Sequence, residues 1–176
     1  MRHRIFIAIN LPENIKKKLA DYQSKWPDLP ARWTRKENLH ITLEFLGDTT
    51  DEELLEVLKT TEETARKHEP FFINLKKIVY GPSASSGQAQ NKIPRMVWAM
   101  GEKIKEFDIT PHITLARLKT WEFKQMEPEE RPEINEDIFP PAGGLSFEVN
   151  SIEVMESELK RGGPKYIILE SCPLKN

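Results

Sequence analysis

Cysteine is almost absent from this chain. The one copy, Cys172, excludes an intramolecular disulfide and leaves a thiolate zinc site nothing to build on. It reads as a small apolar residue of the last strand. Long apolar runs are missing too. The stretch near the start, Ile5 to Ile9, is stopped by Asn10 and Pro12, well short of a membrane span or a signal-peptide core. The expected location is the cytoplasm, with no membrane partner. Nor does one sign of charge dominate. Lys and Arg number 26 against 28 Asp and Glu, a net charge of −2, which excludes a protein that coats nucleic acid by bulk charge. A local positive cleft that grips one phosphate is compatible with that balance. Neither H-x-H nor H-E-x-x-H, the compact metal-ligand spacings, occurs.

What is present describes one folding unit. At 176 residues, with 38% hydrophobic and 31% charged residues, the chain is long enough for a single domain or two small lobes sharing a core. Arg4 to Asn10 reads as a buried strand, and Pro12 opens a helix with Ile15, Leu19, Tyr22 and Trp26 on one stripe. Leu39 to Phe45 has strand composition, ended by Gly47 and Asp48. Thr50 and Glu53 form a capping box for a second helix whose apolar face is Leu54, Leu55, Leu58 and Ala65. Further strands are expected at 71–80, 95–100, 109–118, 145–155 and 165–172, with a polar loop from Gly81 to about Pro94 and a proline-rich excursion over 119–144. Strands outnumber helices, and the order gives α+β with antiparallel sheets.

One tetrapeptide occurs twice. His-Ile-Thr-Leu stands at His40–Leu43 and again at His112–Leu115, using half of the four histidines. Chance would produce such a match roughly once in a thousand sequences of average composition. In an extended strand His40 and Thr42 point to one face and Ile41 and Leu43 to the other, and likewise for His112 and Thr114 against Ile113 and Leu115. The apolar pair anchors each strand and fixes an imidazole beside a hydroxyl. Histidine, with an unperturbed pKa of about 6.5, can serve as acid in one copy and base in the other. The threonine hydroxyls suit non-bridging phosphate oxygens. A lone histidine in an apolar strand is ordinarily structural, and duplication is what argues otherwise. A metal site is the other alternative, against which each copy supplies a single imidazole. No metal and no cofactor is expected. His3 and His68, outside any repeat, read as surface or structural residues.

These residues resemble the 2H phosphoesterase superfamily, and within it the RNA 2′,3′-cyclic phosphodiesterases, also called 2′-5′ RNA ligase-like proteins. The likeness runs through RIFIAIN at Arg4–Asn10, ARWT and ENLHITLEFLG up to Gly47, RMVWAM, PHITLAR at Pro111–Arg117 and ESELKRGGPKY from Glu156 to Tyr166. It implies a bilobal α+β fold: two antiparallel sheets related by a pseudo-twofold axis, helices outside, the site between. One lobe would span about 1–70 with the first motif, the other about 71–176 with the second. The implied reaction is metal-independent hydrolysis of a 2′,3′-cyclic phosphate on an RNA end to a 2′-phosphate by a monomer. His40 would be the acid toward the leaving 3′ oxygen and His112 the base toward water. Thr42 and Thr114 match phosphate-holding threonines, Arg117 an arginine that contacts the phosphate, and Phe45 a position that stacks a terminal base.

Strict alternation puts Arg117 on the face opposite His112, so that only a bulge or the strand's end would bring it round. Phe45 shares its face with Ile41 and Leu43, which suits a core role as well. Between Met100 and Pro111 the sequence GEKIKEFDIT replaces the full helix of the family, leaving sheet surface to be covered by the 119–144 excursion, by a partner chain, or by nothing. Two other activities suit the same residues. One is joining or cleavage of 2′-5′ linkages. The other is RNA-end binding without catalysis, through Arg32, Arg35, Lys36, Lys160, Arg161 and Lys165.

Overall fold

Alternating apolar residues near the start of the chain build a strand buried on both faces, with Ile5 and Ile9 on one side and Phe6 and Ala8 on the other. A computed structural model of the chain describes residues 1–81, 93–137 and 145–175. Its elements are β1 (Arg2–Asn10), α1 (Glu13–Asp21), β2 (Ala31–Trp33), β3 (His40–Thr50), α2 (Asp51–Ala65), β4 (Phe71–Tyr80), β5 (Met96–Gly101), β6 (His112–Leu118), α3 (Thr120–Gln125), β7 (Asn135–Asp137), β8 (Leu145–Val149), β9 (Ser151–Lys160) and β10 (Gly163–Pro173). Two antiparallel sheets result, the α+β architecture expected. The first has the order β10-β9-β1-β3. The second runs β2-β6-β5-β4-β7, with β8 also paired to β4. One continuous apolar core joins residues of both sheets. Among the described residues no helix is long and apolar enough to cross a membrane.

The strand pairing departs from an expected split near residue 70. β2, from the first half of the chain, pairs with β6 of the second sheet, whereas β9 and β10 return to the first sheet beside β1. The two sheets are therefore built from interleaved segments. Around them the helices follow their sequence signals with local corrections. The α1 stripe buries Ile15 and Leu19, but the helix tightens into a 3₁₀ turn at Tyr22–Lys25 before reaching Trp26. The α2 capping box forms as read: Glu53 N–H donates to Thr50 Oγ1 at 3.3 Å and Thr50 N–H to Glu53 Oε2 at 2.8 Å. Leu55 lies outside the buried face, which continues instead through Thr61 and Ala65.

β3 is longer than its composition suggests. It continues through Gly47, which sits at φ 77° in an irregularity of the ladder, and on to Thr50. The 145–155 strand is broken at Asn150 into β8 and β9. Residues 102–111 form no helix; they turn back at a bridge between Ile104 and Ile109. Cover for the second sheet comes from the excursion. Phe123 of α3 packs edge-on against Tyr80 at 5.7 Å, Ile134 is buried, and the Tyr80 hydroxyl donates to the Pro132 carbonyl at 2.6 Å. The loop expected from Gly81 to Pro94 and the end of the excursion lie largely outside the described residues.

Candidate active site

The two copies of His-Ile-Thr-Leu stand on β3 and β6, which approach each other between the sheets. In both, the apolar face is locked down. Ile41 and Ile113 are fully buried, each worth about 1.5–3 kcal/mol of burial. The polar face opens on a cleft of about 750 Å³ lined by His40, Thr42, Phe45, His112, Thr114 and Arg117. All six residues singled out from the sequence thus border one space.

Phe45 and Arg117 reach it by the same device. On β3 the register to β1 slips after Thr42, with Ala8 opposite Thr42 and Ile7 opposite Glu44, so that Leu43 is an extra residue. On β6 Trp98 stands opposite Thr114 and Val97 opposite Ala116, so that Leu115 is extra. Each bulge falls on the leucine of the tetrapeptide, and each reverses the alternation beyond it. Residues five positions after each histidine, Phe45 and Arg117, therefore join the histidine face. The carbonyl of the bulged Leu115 is held by Thr34 N–H at 2.8 Å. Phe45, 59% exposed, stacks on Phe6 across the sheet at 6.0 Å, so it is a cleft residue and not a core one.

The imidazoles are oriented from behind. His40 Nδ1 lies 2.7 Å from the Asn38 carbonyl. A carbonyl only accepts, so Nδ1 carries the proton, and Nε2 faces the Thr42 hydroxyl at 3.0 Å. Asn38 is itself tied down, its side-chain amide donating to the Pro164 carbonyl at 2.8 Å. His40 then packs between Phe6 at 5.1 Å and the edge of Tyr166 at 5.0 Å. His112 is arranged in parallel: the Thr110 backbone, two residues before it, hydrogen-bonds the ring. Trp98 stacks on it at 4.2 Å.

Burial pushes both histidines below their ordinary 6.5, because a desolvated imidazolium loses hydration. For His40 the bond to Asn38 works against this shift, while Lys16 and a charged His112 add to it. The carbonyl bond of Thr110 likewise opposes the shift of His112. A proton on His112 thus disfavours one on His40.

Phe6, Trp98 and Tyr166, which flank the rings, could not be picked out from the sequence. Their roles come from cross-strand pairing rather than from spacing along the chain. Of the expected cations, Arg32 and Arg35 line the cleft, joined by Arg4. Arg35 donates to the Gly162 carbonyl at 3.1 Å, Lys36 pairs with Glu13, and Lys160 with Glu158 at 2.9 Å. Arg161 and Lys165 do not line the cleft. His3 bridges Asp51 and Glu156 at 2.8 Å each, and His68 packs on Phe107, both away from it.

Known proteins place this arrangement. The family model described as LigT like Phosphoesterase matches residues 9–89. A protein of Methanocaldococcus jannaschii named RNA 2′,3′-cyclic phosphodiesterase is 31% identical, over 95% of this chain and 98% of its own. A Thermus thermophilus protein of the same name is 29% identical, over 98% and 90%. The crystal structure of a Thermus thermophilus protein superposes with a TM-score of 0.76 at 28% identity, covering 98% of each chain. That of E. coli LigT complexed with NADP+, at 22% identity and a TM-score of 0.73 over the whole of both chains, shares the fold. Likeness along nearly the full length, together with a duplicated histidine motif meeting in one cleft, makes this chain a member of the LigT-like phosphoesterase family.

Proposed function

We propose that the cleft hydrolyses 2′,3′-cyclic phosphates at RNA ends, with His40 and His112 as an acid–base pair. The observation that carries this reading is that both His-x-Thr faces border a single cleft. Relatives along the whole chain bear the name of that activity. In the step proposed, His112 takes a proton from water as the water oxygen bonds to phosphorus. The bond to the 3′ oxygen breaks, and His40 gives that oxygen a proton, leaving a 2′-phosphate. Each ring has its far nitrogen engaged by backbone two residues earlier, which supports one nitrogen per ring meeting substrate. Thr42, Thr114 and Arg117 would hold the non-bridging oxygens as charge grows on them, and Phe45 would stack the terminal base.

The mutual repulsion of the two charged rings supports a single shared proton, the state that an acid and a base together require. A dianionic transition state between them would raise both affinities for a proton. No Asp or Glu lines the cleft among the described residues, a poor donor set for a divalent cation. The reading therefore carries metal independence with it. Purified protein in EDTA should convert an RNA ending in a 2′,3′-cyclic phosphate to the 2′-monophosphate. His40→Ala and His112→Ala should each lower kcat by about 10²–10⁴. Undiminished turnover in both variants would refute the acid–base assignment.

A further inference from the structure

Two arginines oppose each other across neighbouring strands beside the cleft. Arg32 of β2 is the direct cross-strand partner of Arg117 on β6, and both are exposed and line the cleft. Like charges in that position repel. Neither has a carboxylate partner among the described residues, although the chain has 28 acidic residues from which to supply one. The site of Arg32 is nevertheless built. Backbone bonds of 2.8 Å from Thr34 to Leu115 and from Lys119 to Pro30 bracket β2, and Trp33 stacks on Trp26 at 6.4 Å. An unrelieved pair of guanidinium groups on two paired strands calls for an anion.

A cyclic phosphodiester carries one negative charge, and Thr42, Thr114 and Arg117 already face its place. Arg32 stands further out. On the common face Arg117 is about 7 Å along β6 from Thr114, and β2 lies about 5 Å beyond β6, a displacement on the order of one nucleotide. We propose that Arg32, with Arg117 beside it, binds the phosphodiester joining the terminal nucleotide to its 5′ neighbour, so that the cleft takes an oligonucleotide end in preference to a cyclic mononucleotide. This rests on reading the cleft as a site for an RNA end, and it assigns the cations that select substrate length. Arg35 donates to the Gly162 carbonyl and Arg4 stands on β1 of the other sheet, which makes Arg32 the cation beside Arg117.

The test measures binding, so it does not depend on turnover. Two dinucleotides ending in a 2′-phosphate, one with an ordinary linkage and one with a neutral methylphosphonate, are titrated into the wild type, Arg32→Gln and Arg32→Lys. The methylphosphonate should weaken binding to the wild type about tenfold or more, and to Arg32→Gln by less than about twofold. Arg32→Lys should keep part of the difference. For the ordinary dinucleotide, the salt dependence of log affinity should be shallower in Arg32→Gln by about 0.7. An equal methylphosphonate penalty in wild type and Arg32→Gln, no penalty in the wild type, or no binding of either dinucleotide would overturn the proposal. A penalty that depends on Arg32, alongside a failure to open cyclic phosphates, would uphold this phosphate site and reject the proposed reaction.

Discussion

Trp98 and His112 form the tightest aromatic contact in the cleft, their ring centres 4.2 Å apart. Gly81 also lies against the indole, where an added Cβ would stand 3.0 Å from the ring. Packing against Trp98 orients the imidazole and contributes to its desolvation. Replacing Trp98 with Leu should lower kcat about tenfold or more. The acidic limb of the pH–rate profile should move up toward 6.5 as His112 regains hydration. A loss of rate with no such movement would indicate general loosening. Both cleft histidines also tie stability to pH. Their folded-state pKa values lie below the unfolded 6.5, so the stabilisation they carry is present above that value and is lost as pH falls through the folded values. His3 acts in the opposite sense, its pKa raised by Glu156 and then Asp51, with a contribution that fades as pH rises. From about pH 7 to about pH 5 the urea midpoint of His40→Gln should therefore fall less, or rise more, than that of the wild type, since the His3 contribution is the same in both.

β3 and β6 bend at the same step of the same four residues. That symmetry marks the boundary of what the sequence discloses. The repeat shows directly that an imidazole and a hydroxyl share a face, since alternation needs only that the segment be extended. Phe45 and Arg117 could not be placed so simply, because their side is decided two residues after a bulge. The bulge is a property of pairing with β1 and β5, and one slipped residue turns every later side chain over. Helix signals are more local and read more directly. The Thr50–Glu53 box needed no partner strand and formed as its four residues dictate, whereas exposed Leu55 shows an apolar residue outnumbering the surface available to bury it. Thr50→Ala should cost about 1 kcal/mol in equilibrium unfolding without changing the cleft's affinity for phosphate.

At the scale of the molecule, the exchange of segments between the sheets was the least legible feature. Neither β2, three residues long, nor the β9–β10 hairpin carries any mark of which sheet it joins. Nor did the short GEKIKEFDIT segment tell how its sheet would be covered; Phe123 and Ile134 show that the excursion does it. Phe123→Ala should cost about 3–5 kcal/mol. With one core spanning both sheets, far-UV circular dichroism and tryptophan fluorescence should still report coincident unfolding.

The interleaving bears on synthesis as well. β1 and β3 precede the hairpin that flanks β1 by about a hundred residues, so that hairpin, and with it Tyr166 against His40, leaves the ribosome only after both histidine motifs. A nascent protein halted before residue 151 holds both histidine motifs and only one finished side of its cleft. The cleft is thus completed in one step, when the β9–β10 hairpin docks beside β1.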